Sequence, residues 1–227
     1  MVTAILVAAG SGTRMGADKL FLPVAGCPIV GHTWRRFDQS PCIGQIILVT
    51  QPEKREAFEH LAATLQLTKP WRIVAGGAQR QDSVWNGLQA VTTEWVAIQD
   101  AARPCTSAET IERTLAAARQ SGAAVAAQKV TDTLKEADAQ GRIARNVDRT
   151  QLWSVQTPQV FRADIIRRAL AEVRQRGLHV TDDTAACEII GQSVVLVECV
   201  EPNPKVTTPA DLPLVETLLR GEALTRG

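Results

Sequence analysis

Two cations, Arg14 and Lys19, stand five positions apart beside a run of small residues, Ala8, Ala9, Gly10, Ser11, Gly12 and Thr13. A backbone with so little side chain lets a ligand approach closely, and N–H groups, hydroxyls and cations together suit phosphates. Spacing excludes the two best-known phosphate loops. No Gly-Lys-Ser/Thr follows the glycines, and Gly10, Gly12 and Gly16 stand two and four apart where the dinucleotide fingerprint requires two and three. A second glycine-containing loop runs from Gly76 and Gly77 through Ala78, Gln79, Arg80 and Gln81 to Asp82 and Ser83. Taken alone, those last two residues read as helix caps. Asp100 closes an apolar run and precedes Ala101, Ala102, Arg103 and Pro104. A carboxylate at the end of a buried strand costs desolvation unless it is paired. Either Arg103 neutralises it, or Asp100 faces Mg²⁺ while Arg103 faces a phosphate. Lys205, just past another apolar run, would point its ammonium into the same cleft.

The elements that must position these groups read as an alternation of strands and helices. Thr3–Val7, Gln45–Thr50, Trp71–Ala75, Trp95–Gln99, Ala123–Gln128 and Val194–Val200 are short apolar runs of strand length, as expected for parallel strands covered on both faces. Between them, helices are expected over Ile29–Phe37, with Ile29, Thr33, Trp34 and Phe37 inward, and over Pro52–Gln66, which has His60 on one face. Another carries Val84, Leu88 and Val91. A further helix opens on a Thr106/Glu109 capping box and ends near Ser121 and Gly122. Leu152–Gln156 re-enters the core, and Thr157, Pro158 and Gln159 form a turn before Phe161. Ala163–Arg176 is amphipathic and stopped by Gly177. Thr181, Asp182 and Asp183 open a short helix ending near Gly191, and Thr208 with Pro209 opens a last one ending at Gly221. In such an open sheet the glycine loops gather at the carboxyl ends of the strands, where ligands bind.

Residues 129–149 break the pattern: they are polar, alternating, and carry a turn signal at Gln140 and Gly141. They read as a projecting hairpin arm. Two strands alone are marginal in water, so a second subunit is the expected support.

The 227 residues are 45% hydrophobic and 22% charged, enough for one domain with a sizeable core and with no linker, repeat or low-complexity tract to divide it. A formal charge of +1 gives no overall field for nucleic acid or membrane, so an anion site must be local. Five scattered cysteines without a C-x-x-C pair read as reduced thiols, and His32, His60 and His179 lack metal-ligand spacing. The N-terminus has no basic leader and no apolar run reaches membrane-spanning length, so a cytoplasmic protein is expected.

The stretch AAGSGTRMG followed by a lysine resembles the sugar-nucleotide pyrophosphorylases and cytidylyltransferases. With GGAQRQDSV, DAARP, TDTLK, LWSVQTPQVF, TDDTAACE and NPKVTTPADL in the same order along nearly the whole chain, it resembles the 2-C-methyl-D-erythritol 4-phosphate cytidylyltransferases. The resemblance implies an α/β fold: a single Rossmann-like nucleotidyltransferase domain over residues 1–227, a mostly parallel mixed sheet with helices on both faces, and the 129–149 arm used in a homodimer. It implies that CTP and a methylerythritol phosphate react, with Mg²⁺, to give CDP-methylerythritol and pyrophosphate. Arg14 and Lys19 would stabilise charge on the transferring phosphate and leaving group, and Gly10, Gly12 and Thr13 would cradle the triphosphate. Ala8, Ala9, Gly77 and Ser83 would bound the cytosine, with Asp100 and Ala101 by the ribose and the metal. Arg149 and Lys205 would position the attacking phosphate, supported by Arg103, Thr133, Thr157 and Thr181, with Thr133 and Arg149 supplied across the dimer.

Departures from the family pattern are a shortened loop between Arg14 and Lys19, Gln99 where histidine is frequent, and a short loop before Lys205. The alternatives are a cytidylyltransferase for another polyol phosphate such as ribitol 5-phosphate, and a nucleotide-binding regulator without catalysis. The second would be expected to lose the cations that this chain retains.

Overall fold

The computed structural model describes residues 1–10 and 18–225, with side chains as far as Gly221. The first part of the chain forms β1 (Val2–Val7), a 3₁₀ turn (Lys19–Phe21), the short pair β2 (Pro23–Val24) and β3 (Cys27–Pro28), α1 (Ile29–Gln39), β4 (Ile43–Thr50), α2 (Arg55–Leu65), β5 (Trp71–Ala75) and α3 (Arg80–Gln89). There follow β6 (Trp95–Asp100), α4 (Ala108–Ser121), β7 (Ala123–Lys129), β8 (Leu134–Ala137), β9 (Ile143–Val147) and β10 (Trp153–Arg162). The chain closes with α5 (Ala163–Gln175), α6 (Asp183–Ile189), β11 (Val195–Glu198) and α7 (Leu212–Thr225).

Seven strands make one sheet in the order β11-β7-β10-β6-β1-β4-β5. The pairs β1·β4, β1·β6, β4·β5 and β7·β11 are parallel, whereas β10 runs antiparallel to both its neighbours. Alternate residues of one strand serve opposite cores. Ala4 and Leu6 join Trp34, Phe37, Phe58 and Leu115 from α1, α2 and α4, while Ile5 joins Val84, Leu88, Ile166 and Leu170 from α3 and α5. Helices therefore cover both faces, which is why these strands read as unbroken apolar runs. A smaller cluster of Val24, Ile29, Val206, Val215 and Leu219 fastens α7 to the β2–β3 pair.

The expected inner face of α1, Ile29, Thr33, Trp34 and Phe37, is fully buried. Pro52 begins a separate 3₁₀ turn (Pro52–Lys54) ahead of α2, and Gln66 takes the left-handed cap at φ 53°. Three expectations are corrected. The helix after Asp100 is capped by Ser107, whose hydroxyl accepts from Thr110 N at 3.2 Å. Thr106 is buried instead, within reach of Gln99 and Asn203. Thr157, Pro158 and Gln159 form no turn between elements but lie inside β10, where pairing with β7 shifts register between Val155 and Gln159. Proline has no N–H to give the ladder, so an irregular strand accommodates it. Finally, α7 continues through Gly221 to Thr225.

The arm is a two-stranded antiparallel ribbon of β8 and β9, turning at Gly141 with φ 77°. Most of its side chains are exposed, Ile143 at 70%.

Candidate active site

Register places the loops. Val7 of β1 lies opposite Asp100 of β6, and Thr50 of β4 opposite Ala75 of β5, so residues from Ala8, Ala101 and Gly76 onward leave the sheet at one end. Each loop starts by extending the ladder: Ala8 N donates to Val49 O at 2.7 Å, Ala101 N to Val7 O at 3.1 Å, and Gly76 N to Thr50 O at 2.7 Å. At Gly76 and Gly77 there is no space for a side chain. A Cβ on Gly76 would lie 2.5 Å from Ala9 Cβ, and one on Gly77 would lie 2.3 Å from Asp82 Cβ. The second loop is braced by its own helix. Gln79 and Asp82 form a reciprocal capping box on α3, as expected for Asp82, while the Ser83 hydroxyl accepts from Gly77 N at 3.1 Å and donates to Gln79 O at 3.1 Å.

The result is a cleft of about 450 Å³ lined by Ala8, Ala9, Gly10, Gly77, Ser83, Asp100 and Ala101, with Lys19, Arg80 and Lys205 as its cations among the described residues. Lys19 donates to Val206 O at 3.0 Å, tying the first loop to the segment after Lys205. A second cleft, about 540 Å³, is lined by Arg103, Thr157, Thr181, Asp182 and Glu188. Arg80, Asp100 and Lys205 line both. Nearly all the sequence-derived candidates among the described residues are thus brought together. Thr133 and Arg149 are not: both are exposed on the arm and line neither cleft, and Arg149 donates to Thr131 O. Gly12, Thr13 and Arg14 lie outside the described residues.

Asp100 meets more cations than the sequence suggests. Its Oδ2 is 2.8 Å from Lys205 Nζ and 3.8 Å from Arg103 Nε, and its Oδ1 accepts from Arg80 Nε at 3.3 Å. The expected partner, Arg103, is therefore the most distant of three. Burial by itself would raise the Asp100 carboxyl, but Arg80, Lys205 and Arg103 outweigh it and hold the group at about 2. Burial pulls the Arg103 guanidinium below its ordinary value, against the opposing charge of Asp100. Arg103 Nη1 donates to Asn203 O at 2.7 Å, and the Thr157 hydroxyl accepts from Asp100 N at 3.1 Å.

Among the described residues no group of three or more His, Cys, Asp or Glu could hold a metal ion. Asp100 is the one carboxylate among them that lines the first cleft. A single hard oxygen donor of this kind fits Mg²⁺, which keeps waters and takes its remaining ligands from substrate phosphates.

Sequence reasoning passed over Arg80 and the ion pair it makes with Asp183. Arg80 opens α3 and donates from Nη1 to Asp183 Oδ2 at 2.8 Å. The available signal was a cation at a helix N-terminus, where the helix dipole disfavours it. Asn203 was missed too; its amide donates to Gln156 Oε1 at 3.1 Å and Thr157 O at 2.8 Å and so joins the second cleft to the segment before Lys205.

Residues 2–221 match the family model of 2-C-methyl-D-erythritol 4-phosphate cytidylyltransferase, IspD. The chain is 41% identical over 222 residues to the protein of that name from Bacillus thuringiensis, covering 96% of this chain and 98% of the relative. Among solved structures, the 4-diphosphocytidyl-2C-methyl-D-erythritol synthase of Anaerococcus prevotii superposes with a TM-score of 0.85 at 27% identity, covering 97% of this chain and 98% of the other. The 2-C-methyl-D-erythritol 4-phosphate cytidylyltransferase of Thermus thermophilus does so at 0.78 and 32% identity, over 95% and 98%. By a family model that spans nearly the whole chain and relatives 41% and 32% identical over nearly their full length, the chain belongs to the 2-C-methyl-D-erythritol 4-phosphate cytidylyltransferase family.

Proposed function

We propose that the two clefts are the two substrate sites of the family's reaction, CTP in the first and the acceptor phosphate in the second, with Asp100 and Lys205 at the boundary where they react. The enzyme transfers the cytidylyl group of CTP to 2-C-methyl-D-erythritol 4-phosphate on the way to isoprenoid precursors. The observation that carries the division of labour is the shared wall of Arg80, Asp100 and Lys205 between the clefts.

A phosphate monoester oxygen attacks the α-phosphorus in line, the new P–O bond forming as the bond to pyrophosphate breaks. Two anions must be held together, so positioning and positive charge are what the protein has to supply. Ala8, Ala9, Gly77 and Ser83 bound the cytosine, and the narrowness set by Gly76 and Gly77 favours a pyrimidine over a purine. Gly10 begins the triphosphate cradle that Gly12, Thr13 and Arg14 continue, with Lys19 on the leaving pyrophosphate. Ala101 abuts the ribose. Asp100 would hold Mg²⁺, which when bound neutralises phosphate charge. Lys205, beside Asp100, orients the attacking phosphate with Arg103, Thr157 and Thr181. Thr133 and Arg149 come from the arm of a second copy, making the active form a homodimer and the chain a single catalytic domain with a projecting arm. Scattered cysteines support a cytoplasmic setting, and no helix among the described residues is long and apolar enough to cross a membrane.

Pyrophosphate release with CTP and Mg²⁺, offering methylerythritol 4-phosphate or ribitol 5-phosphate separately, tests the reading. Release is expected with the first alone. Lys205→Ala should lower it about 100-fold, the usual scale for an oriented charge at a reacting phosphate. Release with ribitol phosphate alone would overturn the acceptor, and a fully active Lys205→Ala would overturn the role of that lysine.

A further inference from the structure

Arg80 occupies a place its own helix does not favour. It is the first residue of α3, where the partial positive charge of the helix N-terminus repels a cation. Its guanidinium reaches away from the helix to two carboxylates from distant parts of the chain. One is Asp100 at the end of β6, and the other is Asp183 at the start of α6. Asp183 is 0% exposed and its Oδ1 has no hydrogen-bond partner among the described residues, so its burial is strongly unfavourable unless Arg80 is in place. A buried ion triad with an orphaned oxygen contributes little to stability compared with apolar packing; its benefit must lie elsewhere.

The surroundings show where. Gln159 of β10 clamps the same loop, donating from Nε2 to Asp182 Oδ2 at 2.9 Å and accepting from Asp183 N at 3.2 Å. The wall of the second cleft formed by Thr181, Asp182 and Thr184, with Asp183 buried behind it, is thereby fixed to the sheet on one side and, through Arg80, to the glycine loop of the first cleft on the other. Asp100, gripped on Oδ1 by Arg80, presents Oδ2 to Lys205.

We propose that Arg80, anchored by Asp183, is a positioning residue that sets the orientation of Asp100 and Lys205 and couples the two substrate clefts, an inference that rests on the roles given above to Asp100 and Lys205. A planar guanidinium can bridge two carboxylates in one fixed geometry; a lysine ammonium of similar charge cannot.

Steady-state kinetics of pyrophosphate release test this with Arg80→Ala, Arg80→Lys and Asp183→Asn, folding being monitored by circular dichroism and Lys205→Ala carried in parallel. Misplacement of reacting groups by about 1 Å costs on the order of 100-fold. Arg80→Ala is expected to lose about that much in kcat and to regain a measurable part of it with millimolar guanidinium ion, which a purely structural loss would not do. Arg80→Lys, which keeps the charge, should fall at least about tenfold in kcat while remaining folded by circular dichroism, with Asp183→Asn alongside it. Arg80→Lys and Asp183→Asn with wild-type kcat and KM for both substrates would overturn the proposal, as would a folded Arg80→Ala that guanidinium does not rescue. If Lys205→Ala is also fully active, the assignment of the clefts fails first; if only Lys205→Ala is impaired, this inference alone fails.

Discussion

Gly77 has no room for a methyl group, because a Cβ there would lie 2.3 Å from Asp82 Cβ and 3.1 Å from Asp82 C on the first turn of α3. Gly77→Ala must push the loop away from the helix that braces it, a strain of about 1–3 kcal/mol. The loop forms one wall of the first cleft, so if that cleft takes CTP, KM for CTP is expected to rise by roughly tenfold while KM for the acceptor changes little, read from paired substrate titrations. His32 offers a different residue-scale test. Burial pulls its imidazole below the ordinary 6.5, partly opposed by a hydrogen bond between Nε2 and Val24 O at 2.7 Å. Because the folded value is depressed, its contribution to stability is present above the unfolded value and is lost as pH falls through the folded one. The urea midpoint should drop between pH 7.5 and 5, and should drop less in His32→Gln. An identical drop in both proteins would remove His32 as the cause.

At the scale of elements, α3 is the member on which most of the cleft depends. It carries Arg80 and Ser83 on its first turn and packs Val84 and Leu88, both 0% exposed, onto the sheet. Its fit is close: a Cβ on Gly87 would meet Ile5 Cγ2 and Val49 Cγ2 at 3.0 Å. Leu88→Ala should therefore destabilise the protein by about 2–5 kcal/mol, since a cavity between helix and sheet cannot readily collapse. Urea denaturation measures it, and a loss well under that range would mean that α3 can settle into the space. The capping boxes on α3 and before α7, Gln79 with Asp82 and Thr208 with Asp211, hold the loops that precede them, and at α3 the helix start is itself cleft wall, through Gln79, Arg80 and Ser83.

For the whole molecule, the exposed arm is the feature that one chain leaves unused, since Thr133 and Arg149 line neither cleft of their own subunit. If arms are exchanged, Lys205→Ala and Arg149→Ala homodimers are each impaired, yet a heterodimer of the two contains one intact site. Random mixing of subunits should then restore roughly a quarter of wild-type activity. No gain on mixing, with subunit exchange shown by mass spectrometry, would put Arg149 outside the partner's site. Much of this architecture was legible beforehand. Continuous apolar runs marked β1, β4, β6 and β7 because their residues are buried on both faces, whereas β5, at the sheet edge, is largely exposed and departs from that expectation; the period of Ile29, Thr33, Trp34 and Phe37 marked the inner face of α1. The glycine loops, Asp100 and Lys205 could also be recognised as parts of one site, since loops at the carboxyl ends of such strands must converge. Local pattern carries no information about partners far apart in the chain. The insertion of β10 antiparallel between β6 and β7, with proline inside the strand, depends on long-range pairing. So does the choice of Arg80 and Lys205 over Arg103 as the nearest cations to Asp100, and the contact of Arg80 with Asp183, 103 positions away. Residue types and their periodicity determined the fold class and the chemistry available to this protein; which charges neutralise which was decided by the sheet order and the burial that it imposes.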